Sequence, residues 1–296
     1  MNFNEQFDKL TKMVNNALDD YQGIDDGPGS NIYKAMKYSL MAGGKRLRPV
    51  LALAVCEMLG GDQEDVLPYA CAIEMIHTYS LIHDDLPAMD NDDYRRGIPT
   101  NHKVFGEAMA ILAGDALLNK AYELMLSYTL ENDSRQREKI EAMRLIAESA
   151  GADGMIRGQV VDLESEKVTV SQETLELMHK CKTGALIKAP VLSSAILCGA
   201  REDEFEQLRI YAHSLGLAFQ IKDDIMDVES SIEIMGKASG GDADSSKSTY
   251  VTLFGVEKAR ELLEEAVSAA VSALEGFGDK ADFLREMALF VKNRNH

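Results

Sequence analysis

An all-α fold is what this sequence predicts, on three grounds. Ala, Leu and Met are plentiful while aromatic residues make up 6 % and Trp is absent, and unbranched side chains lose little rotamer freedom in a helix. Punctuation is sparse, with six prolines in 296 residues and glycine gathered into a few turns. Between the turns apolar residues recur at helical spacing, and only the short stretch Glu166–Val170 alternates with period two.

The breaks fall at Gly23–Ser30, Gly60–Asp65, Arg96–Asn101, Asn132–Arg135, Gly199–Asp203, Ser230–Thr249 and Gly276–Lys280. In Leu67–His83, Tyr69, Ile73, Ile76 and Ser80 fall on one side, and Leu81 extends a second stripe. Ala189–Cys198 and Tyr211–Val228 are apolar until their polar residues appear, which predicts buried helices. Val256–Leu274, rich in Ala, Glu and Leu, predicts a peripheral surface helix. No Pro/Ser/Gly linker divides the chain, so a single domain over residues 1–296 is expected.

Hydrophobic residues make up 46 % and charged residues 27 %, a globular composition with material for a sizeable core. The formal net charge of −18 repels phosphate backbones and argues against a nucleic-acid partner. It also makes any basic segment stand out. The opening MNFNEQFDKL lacks the basic and apolar regions of a signal peptide, and no run of 18 apolar residues occurs. A cytoplasmic protein without a membrane span is expected. Cys56, Cys71, Cys181 and Cys198 lack CxxC spacing and read as small buried hydrophobes in a reducing compartment.

Two acidic clusters carry the chemistry. The first is His83-Asp84-Asp85-Leu86-Pro87-Ala88-Met89-Asp90-Asn91-Asp92-Asp93. Five aspartates in ten residues repel one another unless cations offset them. Oxygen donors without Cys suit a hard cation such as Mg²⁺, which keeps water and shares phosphate oxygens. The Glu and spacing of a calcium-binding EF-hand loop are missing. On an ideal helix Asp90 lies about 240° round from Asp84, so both face one ion only if the helix breaks, and Pro87 supplies the break. In the second cluster, Gln220, Asp223 and Asp227 share one helical face, and Gly216 extends it and lets another group approach. Carboxylates on so apolar a helix are costly unless paired or metal-bound.

Cations appear at intervals. Gly43-Gly44-Lys45-Arg46-Leu47-Arg48-Pro49 reads as a basic turn, Arg95-Arg96 follows the first aspartates, and Lys182-Thr183-Gly184 interrupts an apolar helix. Gly236-Lys237 and Lys247 lie in the polar stretch after the second cluster. Arg offers a forked donor to a diphosphate, Lys a point charge and Thr a hydroxyl. His77 lies seven residues before Asp84 on the same face, fitting either a core histidine or a diphosphate contact.

These residues resemble the short-chain trans-prenyltransferases, most of all their bacterial farnesyl diphosphate synthase branch. The resemblance rests on GGKRLRP, SLIHDDLPAMDNDDYRRGIPTNHKVFGEAMAILAGDALL, KTGALIKAPV, GLAFQIKDDIMDV and GKASGGDADSSKSTYV, in family order from Lys45 to Val251. It implies the isoprenoid-synthase helical fold around a deep central cavity, and a homodimer. It implies Asp84 and Asp90 on two Mg²⁺ ions and Asp223 on a third, with Asp85, Asp224 and Asp227 acting through water or neighbouring groups. Arg95, Lys182, Thr183, Gln220 and Lys237 are expected on the allylic diphosphate, and Lys45, Arg48, His77 and Arg96 on isopentenyl diphosphate. The implied reaction is the 1′-4 condensation of isopentenyl diphosphate with dimethylallyl or geranyl diphosphate, releasing diphosphate. Asp84, Asp90, Asp223, Lys182 and Arg95 would carry it.

Product length turns on the residues before Asp84. Ser80 lies one turn below Asp84 and Tyr79 beside it, about 6–7.5 Å along the axis. Tyr79 resembles the aromatic floor of bacterial fifteen-carbon synthases, so farnesyl diphosphate is the expected product and geranylgeranyl diphosphate the alternative. A helical Mg²⁺-dependent phosphohydrolase would also use aspartates but would need more than the one His83-Asp84 pair. A non-catalytic regulatory subunit is expected to lose an aspartate motif, and both are present.

Overall fold

The computed structural model describes residues 2–21, 27–165, 168, 170–235 and 248–294, and of 230–235 the backbone alone. Apart from one two-stranded hairpin, its regular elements among the described residues are all helical. They form two compact units.

The first unit comprises Met1–Ile146 with Ser193–Gly199. It contains α1 (Phe3–Asp20), α2 (Asn31–Leu40), α3 (Leu47–Leu59) and α4 (Gln63–Asp84). Strands β1 (Tyr94–Arg95) and β2 (Ile98–Pro99) follow, then α5 (Asn101–Phe105), α6 (Glu107–Glu131) and most of α7 (Gln136–Ala150). The carboxylate of Asp62 starts α4 by accepting from Glu64 N at 3.0 Å. From Val66 to Ile76 every residue of α4 is buried, because α3 and α6 pack along it. Tyr69 Oη meets Thr129 Oγ1 of α6 at 2.8 Å, which satisfies both hydroxyls inside the core.

The second unit comprises Ala147–Leu192 with Ala200–His296. It contains α8 (Met155–Glu164), α9 (Gln172–His179), a π-helical turn (Lys180–Gly184) and the start of α10 (Ala185–Cys198). After these come α11 (Glu202–Met235), α12 (Tyr250–Phe254), α13 (Val256–Ser272), a 3₁₀ turn (Glu275–Ala281) and α14 (Asp282–Asn293). The long α11 is the spine, and α13 and α14 lie along it. Tyr211 of α11 donates to Leu284 O at 2.9 Å in the buried interior. α13 buries Ala259, Leu263, Ala266 and Ala270 while Glu261, Glu264 and Glu265 stay exposed, the peripheral helix its sequence predicts.

Four details depart from the sequence reading. α11 continues to Met235, past the break expected at Ser230. The break at Gly276–Lys280 is a 3₁₀ turn kinked at Gly278, where φ is 59°. Of the alternating stretch Glu166–Val170, only Val168 and Val170 are described, and neither is in a strand. The hairpin lies instead at Tyr94–Pro99, paired Tyr94 to Pro99 and Arg95 to Ile98. Arg96 and Gly97 both take positive φ, 54° and 80°, which a two-residue hairpin turn of the primed type requires. Among the described residues one continuous helical stretch, Gln172–Cys198, has the length and apolarity of a membrane span, and 61 % of its most apolar window is buried. It includes Lys180, Lys182 and Lys188, as a core helix with a polar turn does.

Candidate active site

The first aspartate cluster begins where α4 stops. Leu86 N donates to His83 O at 3.2 Å, and Asp90 N donates to Asp84 O at 2.9 Å. The loop around Pro87 therefore folds back onto the helix end, the break that the sequence requires of Asp84 and Asp90. Asp84 is half-buried and Asp90 exposed. Asp85 is buried, and Arg95 grips it through Nε at 2.8 Å and through Nη2, which also donates to Asp92 Oδ2 at 3.0 Å. Burial pushes the Asp85 carboxyl above its ordinary value, and the Arg95 contacts oppose it.

The hairpin carries the second cation elsewhere. Arg96 donates to Gly43 O, and a Cβ on Gly44 would stand 2.5 Å from Arg96 Cζ. Glycine is what leaves room for the guanidinium there. His77, half-buried on α4, is held well below its ordinary pKa by burial and then by Arg48, Arg96, Arg46 and Arg95. It is neutral at pH 7. The basic turn, the hairpin and α4 thus bring His77, Arg48 and Arg96 together, with exposed Lys45 on the same turn.

Arg46, which the sequence reading did not single out, points the other way. Its left-handed backbone (φ 51°) turns the side chain inward, where it is 3 % exposed. It donates to Asn15 Oδ1 at 2.9 Å, Glu74 Oε1 at 2.8 Å and Leu40 O at 2.6 Å. A buried pair so fully hydrogen-bonded anchors the turn that carries Lys45 and Arg48.

In the second unit, Lys182 sits in the π turn and pairs with Asp162 of α8 at 2.5 Å. A Cβ on Gly158 would overlap the Lys182 backbone nitrogen, so α8 reaches the turn only because that residue is glycine. A Cβ on Gly216 of α11 would lie 3.2 Å from Gly184 Cα, the close approach expected of it. Thr183 is half-buried in the same turn.

The second aspartate cluster lies on unbroken helix. Asp224 is buried, accepts from Tyr250 N at 2.8 Å and from Gln220 Nε2 at 3.2 Å, and is pushed up to about 6 by burial. Gln220 therefore turns toward Asp224, one helical turn on, rather than keeping to the face of Asp223 and Asp227; an amide donor prefers the buried carboxylate. Arg294 donates to Asp223 Oδ1 at 2.7 Å and to Phe219 O at 2.8 Å, its guanidinium 3.7 Å from the Phe219 ring centroid. Asp227 is exposed. Lys237 and Lys247 lie outside the described residues.

Below Asp84, Tyr79 is 6 % exposed, with its ring edge-on to His83 at 5.5 Å. Burial, with Tyr122 and Asp115 nearby, pushes its hydroxyl up to about 12. Ser80 is half-buried and donates to His77 O at 2.8 Å. His83 Nε2 lies 3.1 Å from Ile111 O of α6. Among the described residues no three His, Cys, Asp or Glu side chains converge as a ready ligand set. Hard carboxylate oxygens held in this open way suit a cation that completes its shell with water and phosphate.

The chain matches the family model described as Polyprenyl synthetase over residues 30–281. It is 44 % identical over 285 residues to the farnesyl diphosphate synthase of Bacillus subtilis (strain 168), spanning 96 % of each chain. It is 48 % identical over 276 residues to the geranylgeranyl diphosphate synthase of Cyanophora paradoxa, spanning 93 % of this chain and 91 % of that one. Among solved structures, an apo FPP/GFPP synthase from Zymomonas mobilis matches with a TM-score of 0.88 at 36 % identity, covering 98 % of both chains.

Proposed function

The chain belongs to the polyprenyl synthetase family and is an all-helical short-chain prenyl diphosphate synthase; within that class we propose that it makes farnesyl diphosphate. It would join isopentenyl diphosphate to dimethylallyl and then geranyl diphosphate, with residues 1–296 working as one prenyltransferase domain. The observation that carries this reading is the polar end of α4. There Asp85 grips Arg95 beside Asp84 and Asp90, and neutral His77 stands among Arg48 and Arg96.

In this reading Lys45, Arg48, His77 and Arg96 hold isopentenyl diphosphate. A neutral histidine can give one N–H to an anion while its arginine neighbours carry the charge. Arg95, Lys182, Thr183, Gln220 and Lys237 hold the allylic diphosphate. Asp84, Asp90 and Asp223 would hold Mg²⁺, three ions when diphosphate is bound, and the metal would offset negative charge on the departing diphosphate. The allylic C–O bond breaks, the isopentenyl double bond attacks the allylic carbon, and the released diphosphate takes the proton. An apolar, water-poor surround protects the cationic carbon meanwhile.

Two further parts of the reading have local support. The apolar residues Leu112, Leu126 and Leu130 of α6 are 54 %, 51 % and 77 % exposed, a face fitting a homodimer contact. The burial of most of the Gln172–Cys198 window favours a cytoplasmic enzyme without a membrane span. Geranylgeranyl diphosphate is the second reading, favoured by the Cyanophora relative; buried Tyr79 favours the shorter product.

The test is product analysis by mass spectrometry after incubation with dimethylallyl, geranyl and isopentenyl diphosphates. Farnesyl diphosphate is expected, abolished by chelation and restored by Mg²⁺. Tyr79→Ala should lengthen the product toward twenty carbons, because each added CH₂ buried is worth about 0.8 kcal/mol. A wild-type product of twenty carbons, or phosphate release without condensation, contradicts the proposal.

A further inference from the structure

Two of the cysteines are neighbours in space although 56 and 198 are far apart in sequence. A Cβ built on Gly61 would stand 2.5 Å from Cys198 Sγ and 3.0 Å from Cys56 Sγ, so both sulfurs flank one point. Cys56 ends the buried stretch of α3, and Cys198 is the last residue of α10. Both are free, Cys56 buried and Cys198 partly accessible beneath exposed Gly61. Neither sulfur belongs to the site described above. Cys71 and Cys181 are both buried.

We propose that Cys56 and Cys198 form an oxidisable dithiol that closes to a disulfide when the protein meets a peroxide. The surroundings give the two sulfurs different parts. Cys198 is held below the ordinary thiol value, first by its interaction with the Cys56 thiol, against burial, and then by Ser194 and Arg135. The Arg135 guanidinium lies against Gly199, the residue after Cys198. Cys56 is pushed up, first by the same interaction and then by burial. The accessible sulfur is therefore the one that gives up its proton more readily, and the thiolate is the nucleophile.

The steps balance. Cys198 sulfur attacks one peroxide oxygen, an S–O bond forms, the O–O bond breaks, and hydroxide leaves and is protonated to water. Cys198 is now a sulfenic acid. With the Cys198 thiolate gone, its hydrogen bond and its charge no longer raise Cys56. Cys56 loses its proton and attacks the Cys198 sulfur; the S–S bond forms, the S–O bond breaks, and a second water leaves. Two thiols are oxidised by two electrons, and hydrogen peroxide is reduced to two waters. The bond would join the C-terminal ends of α3 and α10.

The experiment treats the full-length protein with hydrogen peroxide, denatures it, alkylates free thiols and maps peptides by mass spectrometry without reduction. The expected result is loss of two of the four alkylatable cysteines, recovered as one Cys56–Cys198 linked peptide that dithiothreitol releases. Cys71 and Cys181 should stay fully alkylated. In Cys56→Ala, peroxide should leave Cys198 as a sulfenic acid that dimedone traps. Equal alkylation of Cys56 and Cys198 with and without peroxide, or dimedone labelling of Cys198 in the wild type with no linked peptide, would overturn the proposal.

Discussion

The two aspartate clusters place carboxylates at the polar end of an apolar helix by opposite means. At Asp84–Asp90 the backbone breaks: α4 ends, and the loop returns through Asp90 N to Asp84 O. At Asp223–Asp227 the helix runs on unbroken and the faces of α11 sort the side chains. Yet both use the same division within the adjacent pair. The first aspartate, Asp84 or Asp223, is half-exposed, while the second, Asp85 or Asp224, is buried. The buried partner differs in kind. Asp85 accepts from the Arg95 guanidinium, whereas Asp224 accepts from the Tyr250 amide and Gln220. One cluster compensates a buried charge with a charge and the other with dipoles alone. That contrast fits the proposed function, in which the second aspartate of each pair is structural and the first serves the ligand.

The largest effect should come from the half-exposed members. Asp84→Ala or Asp223→Ala should each lower kcat by about 10²–10³, the scale set by removing one group that stabilises transition-state charge. Thermal unfolding should move little for Asp84→Ala but fall for Asp223→Ala, which leaves the buried Arg294 guanidinium without its main counter-charge. Steady-state kinetics within tenfold of wild type for both would break the proposed division.

The buried members sharpen the contrast through stability. Asp85→Asn leaves the partly buried Arg95 without its main counter-charge and should lose about 1–3 kcal/mol in urea unfolding. Asp224→Asn keeps an acceptor for Tyr250 N and sheds a costly buried charge, so its change should stay under about 1 kcal/mol. Equal losses in the two variants would show that charge and dipole compensation do not differ here.

A smaller effect should appear in acid. His179, tilted against Tyr250 with ring centroids 5.3 Å apart, is lowered to about 4 by burial. Between its unfolded value of 6.5 and about 4 the unfolded chain binds more protons. The stabilisation is therefore complete above pH 6.5 and is lost as pH falls toward 4. His179→Gln should flatten the fall in urea midpoint across that window, each unit being worth up to about 1.4 kcal/mol. Identical acid slopes in wild type and variant would contradict the burial of a neutral imidazole.

Much of this was legible in the residues because it depended on local spacing. The break at Pro87 and the close approach at Gly216 follow from helical period and turn chemistry, whereas the shared neighbourhood of His77, Arg48 and Arg96 follows only from the family resemblance. What was not legible depended on direction or long range. Arg46 looks like any cation in GGKRLRP until its left-handed backbone turns it into the core. Arg294 reaches Asp223 across 71 residues, which no local pattern encodes. Gln220 had two plausible partners on α11, and burial of Asp224 decided between them. One signal was available and unread. Gly158 and Asp162 stand four apart on α8, a small residue and a carboxylate on one face, and Lys182 packs against both.

In the proposed function the cations of the first unit's basic turn serve isopentenyl diphosphate, while those of the π turn serve the allylic partner. Initial rates for Arg48→Ala and Lys182→Ala, with each substrate varied at saturation of the other, test it most directly. Loss of one charge-assisted contact is worth about 1.5–3 kcal/mol. Arg48→Ala should therefore raise the isopentenyl diphosphate KM about tenfold or more, with the allylic KM within about twofold. Lys182→Ala should do the reverse or lower kcat. Two variants that weaken both substrates alike would contradict the account.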